Sequence, residues 1–527
     1  MLNVIFQASV LSGAGRAASW ILAAMLLPGF VLAVEPPVVA ATGKGTEGKR
    51  RTPNVLFIVS DDLHGHLAPA GYPGIKTPVL DAMAKESVTF RRNYCQYPVC
   101  GPSRASIMSG LYPESTRVLD NSSRIETSRP GTTSFPAAFR QAGYWTACVG
   151  KVFHRELDNP GGETWDVTTW NQDDEMPIER RAREVFEVAN GPISDPKNKK
   201  AWASVHYALA PQTRDQGVHG TKGYGIGPTG MADELHNDAK DARQVVRWLT
   251  SEERGDRPFM IACGFHRPHI PLTAPDAYFD LYPRESLVFD HDSLYDWFHR
   301  PLIAMPTKPV QPGLPPYGNE DVERRRNETQ AYAACVSFLD AQLGLIFETL
   351  RQQGLWDDTI IVFIGDHGYH LGEHFMYGKV MLFEEANSTP LIIRVPGLTK
   401  GGISVEFTEL IDIFPTLAEL CSLKTPNHLQ GTSLVPVLRD IGASGKGYAY
   451  TVVAREGGLG RALRFDRWRY TEWPSELDRE LYDLEVDPRE RKNLAWDPAY
   501  ATIVLKAHEL LAQVRRNAES QRVDTGK

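Results

Sequence analysis

Three stretches constrain the fold more than any other feature of this chain. "NVLFIVS" (54–60), "PFMIACGF" (258–265) and "TIIVFIG" (359–365) are apolar at nearly every position. A strand with one wet face alternates polar and apolar residues. A run apolar throughout needs cover on both faces, the condition of a parallel or mixed sheet between helices. Segments with helical periodicity lie between the runs: "PVLDAMAKES", "SFPAAFRQAG", "ELHNDAKDARQVVRWLTSE" and "RNETQAYAACVSFLDAQLGLIFETLRQQG". Strands alternating with helices predict an α/β sandwich of doubly wound type. Each run also ends in reactive side chains: Asp61-Asp62, then "HRPHIP" with His266 and His269, then Asp366-His367. Open α/β sheets build sites outside the carboxyl ends of their strands. Asp61, Asp62, His269, Asp366 and His367 are therefore expected to meet.

The rest of the chain divides by texture. Arg16 followed by "WILAAMLLPGFVLA" reads as a secretory signal peptide, residues 1–33, cleaved near Ala33. The run is short for a membrane span and is broken by Pro28, so no span is expected after cleavage and the protein is expected to be secreted or periplasmic. Residues 34–51 read as a linker and 52–430 as a catalytic domain. Beyond it, "YAYTVVARE", "ALRFDRWRYTEW" and "RELYDLEVDP" predict short antiparallel strands, with a final helix from about Tyr500: a small α+β subdomain, 431–527. Residues 155–235 and 284–325, rich in Pro, Gly and charge, read as surface excursions that shape access. Six scattered cysteines exclude a disulfide scaffold or a CxxC zinc site and allow one or two bridges at most. Cys148, Cys263 and Cys335 read as small buried hydrophobes and Cys95 as structural. The net charge of -8, with no basic block, argues against nucleic acid as a partner. A polyanionic substrate would need positive charge local to a cleft.

"CGPSRASIMSGLY" (100–112) reads as a helix start with Pro102 at its first position and Cys100 just before it. A group at position 100 would face free backbone N–H groups, the positive end of the helix and the Arg104 guanidinium. That environment suits sulfate or phosphate, and it would equally stabilise a thiolate. The residues alone leave Cys100 open as core filler, half a disulfide, a nucleophile or a precursor. Asp61-Asp62 alone would read as a strand-end turn or cap. Paired with Asp366-His367 at the end of a second strand, it reads as a metal site.

Cys100-Gly-Pro-Ser-Arg104 followed by "SG" matches the C-x-P-S-R signature. "IVSDDLHG", "GKVFHR", "FHRPHIP", "IGDHGYHLGEH", "YGKVMLFEEANSTPLIIRVPG" and "ELYDLEVDPRERKNLA" follow its other landmarks. Over about residues 52–495 the chain resembles the type I, formylglycine-dependent sulfatases. Through "GKVFH", "HxPHIP" and "DHGYHLGEH" it is closest to the iduronate-2-sulfatase branch.

The resemblance implies an alkaline-phosphatase-like sandwich with a large, mostly parallel or mixed sheet. It implies hydrolysis of sulfate esters on a sulfated sugar, a uronic-acid-containing polysaccharide or oligosaccharide. Cys100 would be oxidised to formylglycine (3-oxoalanine) by a formylglycine-generating enzyme. One divalent metal, calcium first and magnesium or manganese as alternatives, would be held by Asp61, Asp62, the residue made from Cys100, Asp366 and His367. A hydroxyl of the hydrated aldehyde would attack sulfur while Arg104, Lys151 and Lys379 stabilise the sulfuryl oxygens. His269 would protonate the leaving alcohol, and His154 would act as base for release of sulfate. His266 is expected to be structural or a substrate contact. Glu373 and His374 would brace the loop of His367, and His64, His66 and His370 have no assigned part. The sequons at Asn121, Asn327 and Asn387 matter only in a glycosylating host. Two other functions compete: a phosphomonoesterase or phosphodiesterase of the same superfamily, and a non-catalytic glycan-binding protein.

Overall fold

The computed structural model describes residues 52–521 apart from 72–73, 155–163, 170–176, 199–200, 203–204, 206–224, 290–299 and 306–321. The expected leader, the linker and parts of both surface excursions lie outside the described residues.

The three apolar runs form β1 (Asn54–Asp61), β6 (Phe259–Pro268) and β8 (Thr359–Gly365), at the centre of one large sheet. Between β1 and β6 in the chain lie β2 (Val88–Tyr94), β3 (Trp145–Gly150), β4 (Val167–Thr169) and β5 (Ile226–Pro228). β7 (Leu272–Ala274) follows β6. After β8 come β9 (His370–Leu371), β10 (Tyr377–Gly378), β11 (Leu391–Arg394) and β12 (Gly402–Glu409). The large sheet has the order β12-β2-β11-β8-β1-β6-β3-β4. β1 pairs parallel with both β8 and β6, while β11 pairs antiparallel with β8 and β2. The sheet is therefore mixed.

Alternate residues of the central strands enter two separate apolar layers. Leu56, Ile58, Ile261 and Phe363 face one core, with the helices Asn237–Thr250 and Val322–Gln352. Phe57, Val59, Met260 and Val362 face the other, with the helices Phe135–Gln141 and Ile413–Leu420. This two-sided burial is why the runs carry no polar alternation. The helix Val322–Gln352 is long and apolar enough to span a membrane, and most of it is buried inside the fold. Its apolar composition follows from packing on several sides.

The C-terminal part is an antiparallel meander, β13 (Tyr448–Arg455), β14 (Gly458–Phe465), β15 (Trp468–Glu472) and β16 (Arg479–Asp483), with the helix Ala501–Glu519. Its core is continuous with Tyr97, Tyr112, Met381 and Phe383 from the larger part.

The register places the site. Ser60 of β1 lies opposite Gly365 of β8, so Asp61 and Asp366 leave the sheet side by side. β6 flanks β1 on the other side and delivers His269 just past its end. Two details differ from expectation or settle it. The helix after β2 begins at Cys100 itself, with Val99 as the residue before it and Pro102 third. Pro102 still forfeits no helical hydrogen bond, because the first N–H groups of a helix have no partner within it. All six cysteines are free and buried.

Candidate active site

Cys100 opens the helix Cys100–Ser109, every residue of which is buried. Its Sγ lies 3.3 Å from Asp61 Oδ1, 3.3 Å from His367 Nε2 and 3.2 Å from Lys379 Nζ. These groups come from β1, from the turn after β8, and from a loop after β10. The Gly101 N–H donates to Asn121 Oδ1 at 2.8 Å, which anchors the helix start from outside.

The acids are locked by short local bonds. The N–H groups of Asp62 and His367 both donate to Asp366 Oδ1, at 3.1 and 2.9 Å. The Asp366 N–H donates to the Ser60 carbonyl, and the Ser103 hydroxyl donates to the Asp366 carbonyl at 2.5 Å. Asp62 sits at φ 64°, the left-handed region, where the strand has ended, and its carboxylate lies by Lys379 and 3.4 Å from His367 Nε2. Tyr332, from the long helix, donates to the Asp62 carbonyl at 2.7 Å and accepts from the His64 N–H at 2.9 Å.

Arg104 is almost fully buried, and most of its guanidinium serves the protein. Nε donates to Asp366 Oδ2 at 2.9 Å, and Nη1 donates to the Lys151 and Val152 carbonyls. Nη2 stands 3.6 Å from Asp61 Oδ1 and makes no hydrogen bond among the described residues. Lys151 pairs with Asp61 Oδ2, and Lys379 with Asp62 Oδ1. His269 Nε2 lies 3.9 Å from Asp62 Oδ2, while its Nδ1 is 2.6 Å from the Ile270 carbonyl, which identifies Nδ1 as the protonated nitrogen.

The electrostatics follow from burial set against these pairs. Burial alone would raise the Asp61 carboxyl; Lys151, His269, Arg104 and Lys379 outweigh it and hold it well below the usual range. Burial wins at Asp62, which is pushed up to about 7 against the pull of Lys379. Burial and Asp61 would raise the Cys100 thiol, yet Lys151, Lys379 and His367 bring it below its ordinary value. Burial drives the His269 imidazole down, with Lys379 and Lys151 adding to the effect and Asp61 opposing it.

Ligand atoms of Asp61, Asp62, Cys100 and His269 lie within 4.8 Å of one another, as do those of Asp61, Cys100, Asp366 and His367. Asp62 Oδ2 is buried without a hydrogen bond among the described residues. The two groups overlap at Asp61 and Cys100; three carboxylates, one of them with an orphaned buried oxygen, and the His367 imidazole beside them fit a divalent cation.

A family profile described as "Sulfatase" matches residues 53–423. The chain belongs to the sulfatase family. A second profile, the C-terminal part of N-sulphoglucosamine sulphohydrolase, matches residues 372–517 of this sulfatase. It is 31% identical over 461 residues to a sulfatase of Formosa agariphila, covering 84% of this chain and 83% of that one. It is 30% identical to choline-sulfatase of Rhizobium meliloti (86% and 84% covered) and 29% identical to human iduronate 2-sulfatase (74% and 73%). The iduronate branch is thus one of several near relatives. Among solved structures, the phosphonate monoester hydrolase of Agrobacterium radiobacter superposes with a TM-score of 0.71 at 25% identity, over 88% of this chain and 96% of that one. The sulfatase sheet and its C-terminal antiparallel sheet are the fold of these neighbours.

Of the residues picked out in the sequence, Asp61, Asp62, Cys100, Arg104, Lys151, His269, Asp366, His367 and Lys379 converge in this sulfatase. His154 is half-buried at the last described position before residues 155–163. The His266 N–H donates to Asp238 Oδ1 at 2.8 Å and the Arg267 N–H to Asp238 Oδ2 at 2.8 Å, so Asp238 fixes the turn that carries His269. Glu373 accepts from the Leu371 N–H at 2.6 Å and pairs with Arg325 at 3.3 Å. Sequence reasoning missed Asp238, Ser103, Asn121 and Tyr332. Ser103 stands inside the C-x-P-S-R signature and Asn121 in a sequon, but nothing local shows the bond that either makes, because all four act on backbone distant in the chain.

Proposed function

We propose that this sulfatase removes sulfate from a uronic-acid-containing saccharide, as its iduronate 2-sulfatase relative does from iduronate, with Cys100 matured to formylglycine. The observation that carries the reading is the placement of Cys100 at a buried helix start, within 3.3 Å of Asp61, His367 and Lys379. Cys100 Sγ marks the place that an oxygen of the matured residue would take. A hydrated aldehyde there would supply one hydroxyl for attack on sulfur, with the sugar oxygen leaving, and a second whose deprotonation would re-form the aldehyde as the carbon–oxygen bond to sulfate breaks. Asp61, Asp62, Asp366 and His367 would hold a divalent cation, calcium first with magnesium or manganese as alternatives; such an ion supplies Lewis-acid stabilisation of charge on the sulfuryl oxygens.

The chain's own residues do the rest. Lys151, Lys379 and Nη2 of Arg104 bring positive charge to the sulfuryl group in a buried, low-dielectric setting. Arg104 also holds Asp366 and the Lys151 backbone in register. His269 presents Nε2 at the rim; the negative charge of a bound sulfate ester raises its proton affinity and allows it to protonate the leaving alcohol. His154 would take the proton that accompanies sulfate release. The leader at 1–33 would export the chain to the periplasm or the exterior, and a formylglycine-generating enzyme is the partner that matures Cys100.

Sulfate release from a panel of defined sulfated saccharides, beginning with 2-O-sulfated uronic acids, tests the substrate. Cleavage of those and of no phosphorus ester is expected. The structural likeness to a phosphonate monoester hydrolase supports a second reading, hydrolysis of phosphodiesters or phosphonate esters. Turnover confined to such esters in the same panel would establish it instead. Peptide mass spectrometry across residues 92–104 should show Cys100 converted in protein from its native source, and Cys100→Ala should abolish turnover while the protein stays folded. Unconverted Cys100, or retained turnover, refutes the nucleophile.

A further inference from the structure

The motif after β8 carries more imidazole than the active site uses. His367 faces Cys100, but His370 and His374 face away from it into the interior, where they approach Glu385. One ligand atom from each of His370, His374 and Glu385 lies within 4.8 Å of the others. Both histidines are essentially fully buried and Glu385 is 9% exposed. Oε2 of Glu385 is shielded from solvent and makes no hydrogen bond among the described residues. A carboxylate oxygen held in this way beside two imidazoles has the surroundings of a metal ligand.

The backbone bends to bring this about. Gly372 has φ 104°, and His374 and Phe375 follow at 57° and 58°, two successive non-glycine residues in the left-handed region. The His374 ring is thereby laid on Phe383, with centroids 4.4 Å apart, and lies 5.9 Å from the His370 ring. Glu385 comes from a separate element, the short helix Glu384–Asn387.

We propose that His370, His374 and Glu385 form a second metal site, for a zinc-class divalent ion, distinct from the carboxylate-rich site at Cys100. Two imidazoles and one carboxylate are a recurrent protein ligand set for zinc, with a fourth position left to water. The surrounding charge selects the same class. The guanidiniums of Arg300 and Arg469 lie 5.4 and 4.8 Å from the centre of the Phe383 ring on which His374 rests, and the negative charges of Glu373 and Glu490 act on Glu385 in the opposite sense. An ion held by charge alone gains little in such a mixed field. An ion that forms strong bonds to imidazole nitrogen is favoured over calcium or magnesium. The ion would tie the Glu384–Asn387 helix to the segment 370–374. That segment lies between Asp366-His367 and Lys379, so the second ion would brace both flanks of the first site.

The test uses full-length protein in the Asp366→Ala background, which disables the first site. Zinc and cobalt(II) are the probes, followed by bound-metal analysis after dialysis and by the visible absorption of cobalt. One equivalent of zinc and a cobalt spectrum of four- or five-coordinate type are expected. Adding His374→Ala or Glu385→Gln should weaken binding at least tenfold and remove the rise in melting temperature that zinc produces. Glu385→Gln keeps the shape of the side chain and serves if His374→Ala does not fold. Absence of zinc binding in the Asp366→Ala protein, or binding that survives both added substitutions, overturns the proposal.

Discussion

Arg104 shows how one side chain can serve the protein and its chemistry at once. Its Nε and Nη1 hold Asp366 and the Lys151–Val152 backbone, which leaves Nη2 for a ligand. Lysine keeps the charge but not the fork. Arg104→Lys is expected to lower kcat/KM by about 100-fold or more, the usual scale for loss of one aligned charge-stabilising donor. Steady-state kinetics on the best substrate of the panel measure this, and a change under tenfold refutes it. Asp366→Ala should lower the metal content of the purified protein, and an unchanged stoichiometry would remove Asp366 from the ligands.

A second residue-scale prediction concerns pH. Asp340 accepts the Val79 and Leu80 N–H groups, both at 2.9 Å, at the start of the helix Pro78–Ala84. Burial outweighs these bonds and pushes its carboxyl up to about 7. For an acid with a raised folded-state value, the contribution to stability is fully present below the ordinary value near 4 and is lost as pH rises through about 7. Asp340→Asn should therefore gain on wild type between those limits, by up to about 4 kcal/mol. Urea midpoints at pH 5 and pH 8 report it; an equal difference at both pH values refutes it.

At the scale of elements, the junction of β3 with β6 decides where Lys151 stands. A Cβ on Gly264 would lie 2.0 Å from the Lys151 carbonyl carbon and 2.3 Å from the Val152 nitrogen. Those are backbone atoms with no freedom to move aside. Gly264→Ala is expected to cost about 3 kcal/mol or more and to displace Lys151 from Asp61. A melting temperature within 2 °C of wild type, on the order of the shift for 1 kcal/mol in a large domain, would contradict this. Nothing in "PFMIACGF" announces this requirement. The run itself is legible because burial on both faces removes polar residues, whereas the close approach of another strand's end leaves only a glycine. The helix start shows the same limit: a helix beginning around Cys100 was legible, but its first residue was placed at Pro102 instead of Cys100, since proline is tolerated anywhere in a first turn.

At the scale of the whole molecule, the C-terminal meander and the larger part share one apolar core, in which Phe383 and Tyr112 meet Tyr450 and Tyr482. A chain ending at residue 430 would expose that face and is expected to aggregate; a soluble, cooperatively melting fragment would show that the core is separable. The sequence by itself determined the strand runs, the helices between them, the acids and histidines at strand ends, and a cysteine at a helix start. These depend on local periodicity and on the rule that parallel strands deliver side chains to one edge. Only the tertiary structure decided that Arg104 is bonded chiefly to protein, that Tyr332 and Asp238 clamp the site from other helices, and that His370 and His374 gather with Glu385 away from Cys100. The physical reason is that each of these contacts joins residues whose distance in the chain says nothing about their distance in space, and a hydrogen bond or a ligand set is defined only in space.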